Sequence, residues 1–161
     1  MQYHVFHDVP ASASRKDFNL DHVVVGPTGI FVIETKTRRK KPAPPGKDDH
    51  VVTFSGNQII WPFGAEAKSI NQAKANVDWL RKWLRTETSK DFSVRAIVAI
   101  PGWYVKSEPS VMNGAPGCRL SVLNQKMIVG AVLRAQGAPL HQGQITLISG
   151  KLSALCKNVD Y

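Results

Sequence analysis

Residues 19–36 read Asn19-Leu20-Asp21-His22-Val23-Val24-Val25-Gly26-Pro27-Thr28-Gly29-Ile30-Phe31-Val32-Ile33-Glu34-Thr35-Lys36. Two runs rich in Val, Ile and Phe flank Gly26-Pro27-Thr28-Gly29, whose residues supply the dihedrals of a tight turn. The pattern predicts two antiparallel strands, Leu20 to Val25 and Ile30 to Thr37. Paired across the turn, Val25 lies opposite Ile30, Val23 opposite Val32, and Asp21 opposite Glu34. Opposed residues share a face, with Cβ atoms about 4.5–5.5 Å apart. Lys36, two residues past Glu34, falls on that same face. Val23, Val25, Ile30 and Val32 fill the rest of it. Leu20, Val24, Phe31 and Ile33 make the reverse face apolar too, which places the pair centrally in its sheet.

Two carboxylates brought together at the end of such a pair repel. A shared proton, a divalent cation or a salt bridge to Lys36 would relieve that repulsion. Hard oxygen donors suit Mg²⁺ or Mn²⁺, and a nearby lysine could hold an attacking water or screen charge on a phosphate. The chemistry these groups suit is metal-assisted phosphodiester hydrolysis. The same acids could also be plainly solvated at a strand end, with Lys36 an ordinary neighbour.

Outward from this segment, Tyr3 to Val9 reads as a short strand. Val51 to Phe54 and Gln58 to Trp61 flank Ser55-Gly56-Asn57 as a smaller hairpin. Ser69 to Arg85 carries Ile70, Ala73, Val77, Leu80 and Leu84 at helical spacing. Val94 to Ile100 is a buried strand stopped by Pro101-Gly102. Asn124 to Gln136 and Gln142 to Lys157 read as helices, interrupted by Gly137 and Pro139. The order of elements predicts an α/β fold, α+β-like, with a mixed central sheet flanked by helices.

With 161 residues, the chain suits a single domain spanning 1–161. Its 43% hydrophobic and 20% charged residues exclude wholesale disorder. Cys118 and Cys156 stand far apart in no metal-ligand spacing, which excludes a disulfide scaffold and a cysteine zinc site and suits a reduced, cytoplasmic setting. No apolar run approaches the roughly 20 residues of a membrane span, and Met1-Gln2-Tyr3-His4 does not open a secretory signal. The net charge of +9 suits a polyanionic partner.

Val5-Phe6-His7-Asp8-Val9, the unbroken Leu20–Lys36 segment, Asn71-Gln72-Ala73 and Ala99-Ile100-Pro101-Gly102-Trp103 together resemble the nuclease-related domain, NERD. That family belongs to the restriction-endonuclease-like superfamily, marked by an Asp, a spacer and then Glu-x-Lys. The resemblance covers roughly residues 3 to 105. It implies a magnesium-dependent nuclease core acting on DNA. Asp21, Glu34 and the Thr35 carbonyl would hold Mg²⁺ or Mn²⁺, Lys36 would position the water or stabilise the transition state, and Gln72 would sit beside the site. Members usually carry a helix, often with a Glu ligand, before the first strand. Here that strand begins almost at Met1, so the expectation is a core lacking the helix, with a weaker metal site and an uncovered face open to homo-oligomer formation.

Arg38, Arg39, Lys40, Lys41 and Lys47 follow Lys36 as a basic, Pro-rich loop, either tracking phosphates or simply solvated and mobile. Lys74, Arg81 and Arg85 form a helix stripe that reads as surface or as further nucleic-acid contacts. His22 is expected to pack or hydrogen-bond rather than bind metal. Trp79 and Trp83 suit core or partner packing, and Trp103 with Tyr104 suits a core lid or a stacking platform. Three functions compete: a nuclease, a non-catalytic nucleic-acid-binding module of the same fold, and an oligomerising domain whose charge is incidental.

Overall fold

A computed structural model describes residues 2–11 and 19–157; Met1, on which the expectation about a secretory signal partly rests, lies outside them. The central hairpin forms as β2 (Asn19–Gly26) and β3 (Gly29–Thr35). Gly26 pairs with Gly29 across Pro27-Thr28, and the register runs through Val25–Ile30 and Val23–Val32 as the sequence predicts. A Cβ at Gly26 would lie 2.1 Å from the Tyr3 ring, so a larger residue there would have to displace that ring. The turn is also pinned. Thr28 Oγ1 donates to the Val132 carbonyl at 2.7 Å and lies 3.1 Å from the Tyr3 hydroxyl.

β1 (His4–Pro10) pairs antiparallel with β2, while β7 (Val94–Ala99) lies parallel to β3 and β9 (Leu120–Leu123) parallel to β7. The main sheet therefore has order β1-β2-β3-β7-β9, with the hairpin inside it. Helix α1 (Lys68–Thr88) packs on β3 and β7, and α3 (Gln142–Lys157) packs on β1 and β2. On this face Val23, Val25, Ile30 and Val32 meet Leu80, Leu84, Ile145, Ile148 and Leu152. Each such side chain, fully withdrawn from water, contributes about 1.5–3 kcal/mol. The reverse face, with Val24, Phe31 and Ile33, is covered by the short helix α2 (Ile128–Arg134) through Val132.

The mixed, helix-flanked sheet is present as expected, and the chain adds a second sheet to it. Three sequence expectations need correction. β4 (Val51–Phe54) and β5 (Ile59–Trp61) do form the small hairpin, but β6 (Gly64–Glu66) and β8 (Tyr104–Ser107) extend it to a second sheet of order β6-β5-β4-β8. The predicted helix from Asn124 to Gln136 is a 3-10 turn, Gln125–Met127, followed by the seven residues of α2. Strand β3 stops at Thr35 rather than Thr37.

The third correction concerns Leu20. Strict alternation sends it to the reverse face, yet it packs with Val9, Val23 and Val25 on the α1–α3 side. The cause is a kink. Asp8 holds a left-handed backbone, φ 49°, and the β2–β3 pairing ends at His22–Ile33. There β1 leaves the extended conformation and β2 loses its β3 partner, and the two-residue period is lost. Among the described residues no helix is long and apolar enough to cross a membrane.

Candidate active site

Asp21 stands at this kink, one step past the last β2–β3 pair. Its Oδ2 accepts the backbone N–H of Thr35 at 2.9 Å. The side chain thus replaces the main-chain acceptor that β2 withdraws by turning away, and a strand-end donor stays satisfied. Lys36 N–H points the other way, to the Ala99 carbonyl at 2.8 Å. A strand residue's own N–H and C=O project to the same edge, so the Thr35 carbonyl turns toward the Asp21 side.

Glu34 is half-buried on β3, beside α1. Its Oε2 accepts from the side-chain amide of Asn76 at 3.1 Å, and Asn76 Oδ1 accepts from Gln72 Nε2 at 2.9 Å. Gln72 therefore reaches the site through Asn76 rather than by touching Glu34. Asn76 is almost completely buried, 1% exposed, and was missed in the sequence reading. Its only signal is a polar residue four after Gln72, which puts the two on one helix face.

Burial and the neighbouring charge of Asp21 push the Glu34 carboxyl up to about 7, against the opposing pull of Asn76 and Lys36. The repulsion expected between the two acids is therefore present. Lys36 does not discharge it by contact, since among the described residues it forms no ion pair. Of the three remedies open to the sequence, the salt bridge is not made, leaving a proton or a cation.

Glu66, on β6, is the second residue the sequence reading missed. Its carboxylate accepts from the Ser69 backbone N–H at 2.9 Å and from the Ser69 hydroxyl at 2.6 Å, capping the start of α1. Burial works to raise this carboxyl. The Ser69 hydrogen bonds, with Lys36 and Arg38 nearby, outweigh it and hold the group below its ordinary value. Lys36 thus lies in the field of two acids, one on each sheet.

The basic segment beyond Lys36 is tethered rather than loose. Trp103 Nε1 donates to the Arg38 carbonyl at 3.2 Å. Arg38 lies 5.5 Å from the Trp61 ring centre, Lys40 5.8 Å from that of Trp103, and Lys41 4.8 Å from that of Phe63. Cations over aromatic faces at this range are attracted by the ring quadrupole. The second sheet thereby clasps Arg38, Lys40 and Lys41, with Arg39 exposed among them. Trp103 is buried at 1% exposure, so it is a core anchor and not a stacking platform, whereas Tyr104 is exposed.

Lys74 and Arg81 are exposed on α1, and Arg85 pairs with Asp91 at 2.5 Å. Trp79 and Trp83 stack 6.0 Å apart and pack against the core. His22 lies 2.7 Å from His7, Nδ1 to Nδ1, as a hydrogen-bonded histidine.

The donor set suits a hard cation. Oδ1 of Asp21 and Oε1 of Glu34 have no hydrogen-bond partner among the described residues, and the Thr35 carbonyl adds a neutral oxygen. Among those residues no three His, Cys, Asp or Glu side chains are grouped to hold a metal. A site of two carboxylates and a carbonyl fits an ion that keeps several waters, as Mg²⁺ does.

The model of the family described as "Nuclease-related domain" matches residues 2–101, more than half of the chain. No curated protein and no solved structure matches it. The matched segment runs from β1 through β7 and includes Asp21, Glu34, Lys36, Gln72 and Asn76, the residues built into this site. The chain is a member of the nuclease-related domain family, and its mixed, helix-flanked sheets are consistent with the restriction-endonuclease-like superfamily.

Proposed function

We propose that the chain is a metal-dependent nuclease that hydrolyses phosphodiester bonds in DNA in the cytoplasm. The observation that carries this reading is the pair Asp21–Glu34. Burial and mutual repulsion raise Glu34 to about 7, and among the described residues each acid keeps one oxygen free of hydrogen bonds and Lys36 stands close without pairing. Raised carboxyls with a specific charge partner are frequent at catalytic sites.

On this reading Asp21, Glu34 and the Thr35 carbonyl hold Mg²⁺ or Mn²⁺. The bound ion would supply Lewis acidity at the scissile phosphate and a more acidic water. Asn76 fixes the Glu34 carboxylate, and Gln72 fixes Asn76. Lys36 orients the attacking water and donates to the phosphate, where negative charge grows as the new P–O bond forms and the old one breaks. Arg38, Lys40 and Lys41, clasped by the second sheet, and Arg39 between them follow the DNA backbone on one side, and Lys74 and Arg81 extend the positive surface.

The test is nicking of plasmid DNA with Mg²⁺ or Mn²⁺. Cleavage that needs the ion and is lost in Asp21→Asn supports the proposal. Salt-sensitive binding without metal-stimulated cleavage, indifferent to Asp21→Asn, would replace it with a non-catalytic binding module. Sedimentation with and without a DNA duplex identifies an oligomer whose charge is incidental.

A further inference from the structure

A cavity of about 460 Å³ opens between α1, the starts of β7 and β9, and the segment after α2. It does not include Asp21 or Glu34. Arg95 lines it and pairs with Phe31, three residues before the Glu34–Val98 pair, so the cavity sits about 10 Å back along β7 from the acids.

Lys74, Arg81, Arg95 and Arg119 line this space, with Asp78 the one acid among its lining. None of the four cations forms an ion pair among the described residues. Arg95 is buried, at 7% exposure. It donates to the Pro116 carbonyl at 3.1 Å and to the Gln136 carbonyl, two neutral acceptors that hold the guanidinium in place without cancelling its charge. Its burial depresses its pKa, with Cys118 working against this and the like charge of Arg119 adding to it. Val77 and Leu120 supply apolar wall beside the charges. The volume falls within the range of about 300–1,000 Å³ typical of small-ligand sites.

We propose that this cavity binds the phosphate of a nucleotide, with Arg81, Arg95 and Arg119 on the phosphate and Val77 and Leu120 against the remainder. Arginine forks match phosphate oxygens, and a bound anion relieves the repulsion among the four cations. The site is separate from the carboxylate pair and does not depend on the nuclease reading.

The experiment is calorimetric titration of the full chain with ADP, with adenosine as the phosphate-free control. ADP should bind, and adenosine about tenfold more weakly or worse. The double variant Arg81→Gln/Arg119→Gln, both surface positions, should weaken ADP by at least about tenfold. Lys82→Gln/Lys106→Gln, outside the cavity, should leave it unchanged. Displacement of ADP by a short oligonucleotide would identify the phosphate as that of a nucleic-acid strand, and a failure to displace it, a free nucleotide. No binding tighter than about 1 mM would overturn the proposal, as would equal weakening in the two double variants.

Discussion

The side-chain amide of Asn76 donates to Oε2 of Glu34 at 3.1 Å, joining the core of α1 to an acid on β3. Replacing Asn76 by Ala removes a donor from the charged form of Glu34 and strands the Gln72 amide. The Glu34 carboxyl should move above its value of about 7, as followed by carbon NMR of that carboxyl. Stability should fall by about 1–3 kcal/mol, the usual cost of unpaired buried polar groups, measured by urea unfolding.

The raised Glu34 also sets a pH dependence whose sign can be worked out. Between the ordinary carboxyl value of 4.5 and about 7 the folded protein keeps a proton that the unfolded chain has released. Stability therefore falls as pH climbs through that window. Compared with Glu34→Gln, which stays neutral, the parent should lose ground from pH 4.5 to 7 and hold a constant offset on either side. Thermal midpoints across this range check it. A bound cation needs the ionised acid, so Mg²⁺ affinity should rise as pH passes the Glu34 value of about 7.

Lys36 makes no ion pair among the described residues, so its charge acts on the site rather than on the fold. Lys36→Ala should change stability by less than about 0.5 kcal/mol. If the nuclease reading holds, plasmid nicking should drop by about 10²-fold or more. Because Lys36 pulls Glu34 down, the same variant should raise the Glu34 pKa further. Nicking at the parent rate would remove Lys36 from the chemistry.

The cations of residues 38–41 should appear in salt dependence. Every phosphate that a side chain neutralises on duplex DNA adds about 0.9 to the steepness of log affinity against log salt. Replacing Arg38, Arg39, Lys40 and Lys41 by Gln should make that plot shallower by about 3–4 if all four touch phosphate. Trp103→Phe, which removes the donor to the Arg38 carbonyl, should speed amide exchange in residues 38–41.

Much of the scaffold was legible because its signals are local. The β2–β3 hairpin, α1, β7 and α3 follow from runs and periods within each segment, and the turn residues fix the hairpin register. The strands β6, β8 and β9 were missed because each is only three or four residues long, and the β8 run Tyr104–Ser107 is mostly exposed. The kink at Asp8 and Asp21 is a property of two strands together, invisible to a count along one. Asn76 and Glu66 were missed for a related reason. Asn76 meets an acid 42 residues away, and Glu66 faces Lys36 and Arg38 from another sheet, while pattern reading sees neighbours in sequence only.

The segment matched by the family model ends at residue 101, but the structure's mechanical support does not. Val132 receives the hydrogen bond that secures the hairpin turn, and Ile145, Ile148 and Leu152 close the greasy side under the strands. A fragment trimmed to the recognisable portion would retain every signature side chain yet lose the buttress that keeps two like charges in each other's company. Kinship is written in the front of this chain, and the stiffness on which any such chemistry must lean is borrowed from the back.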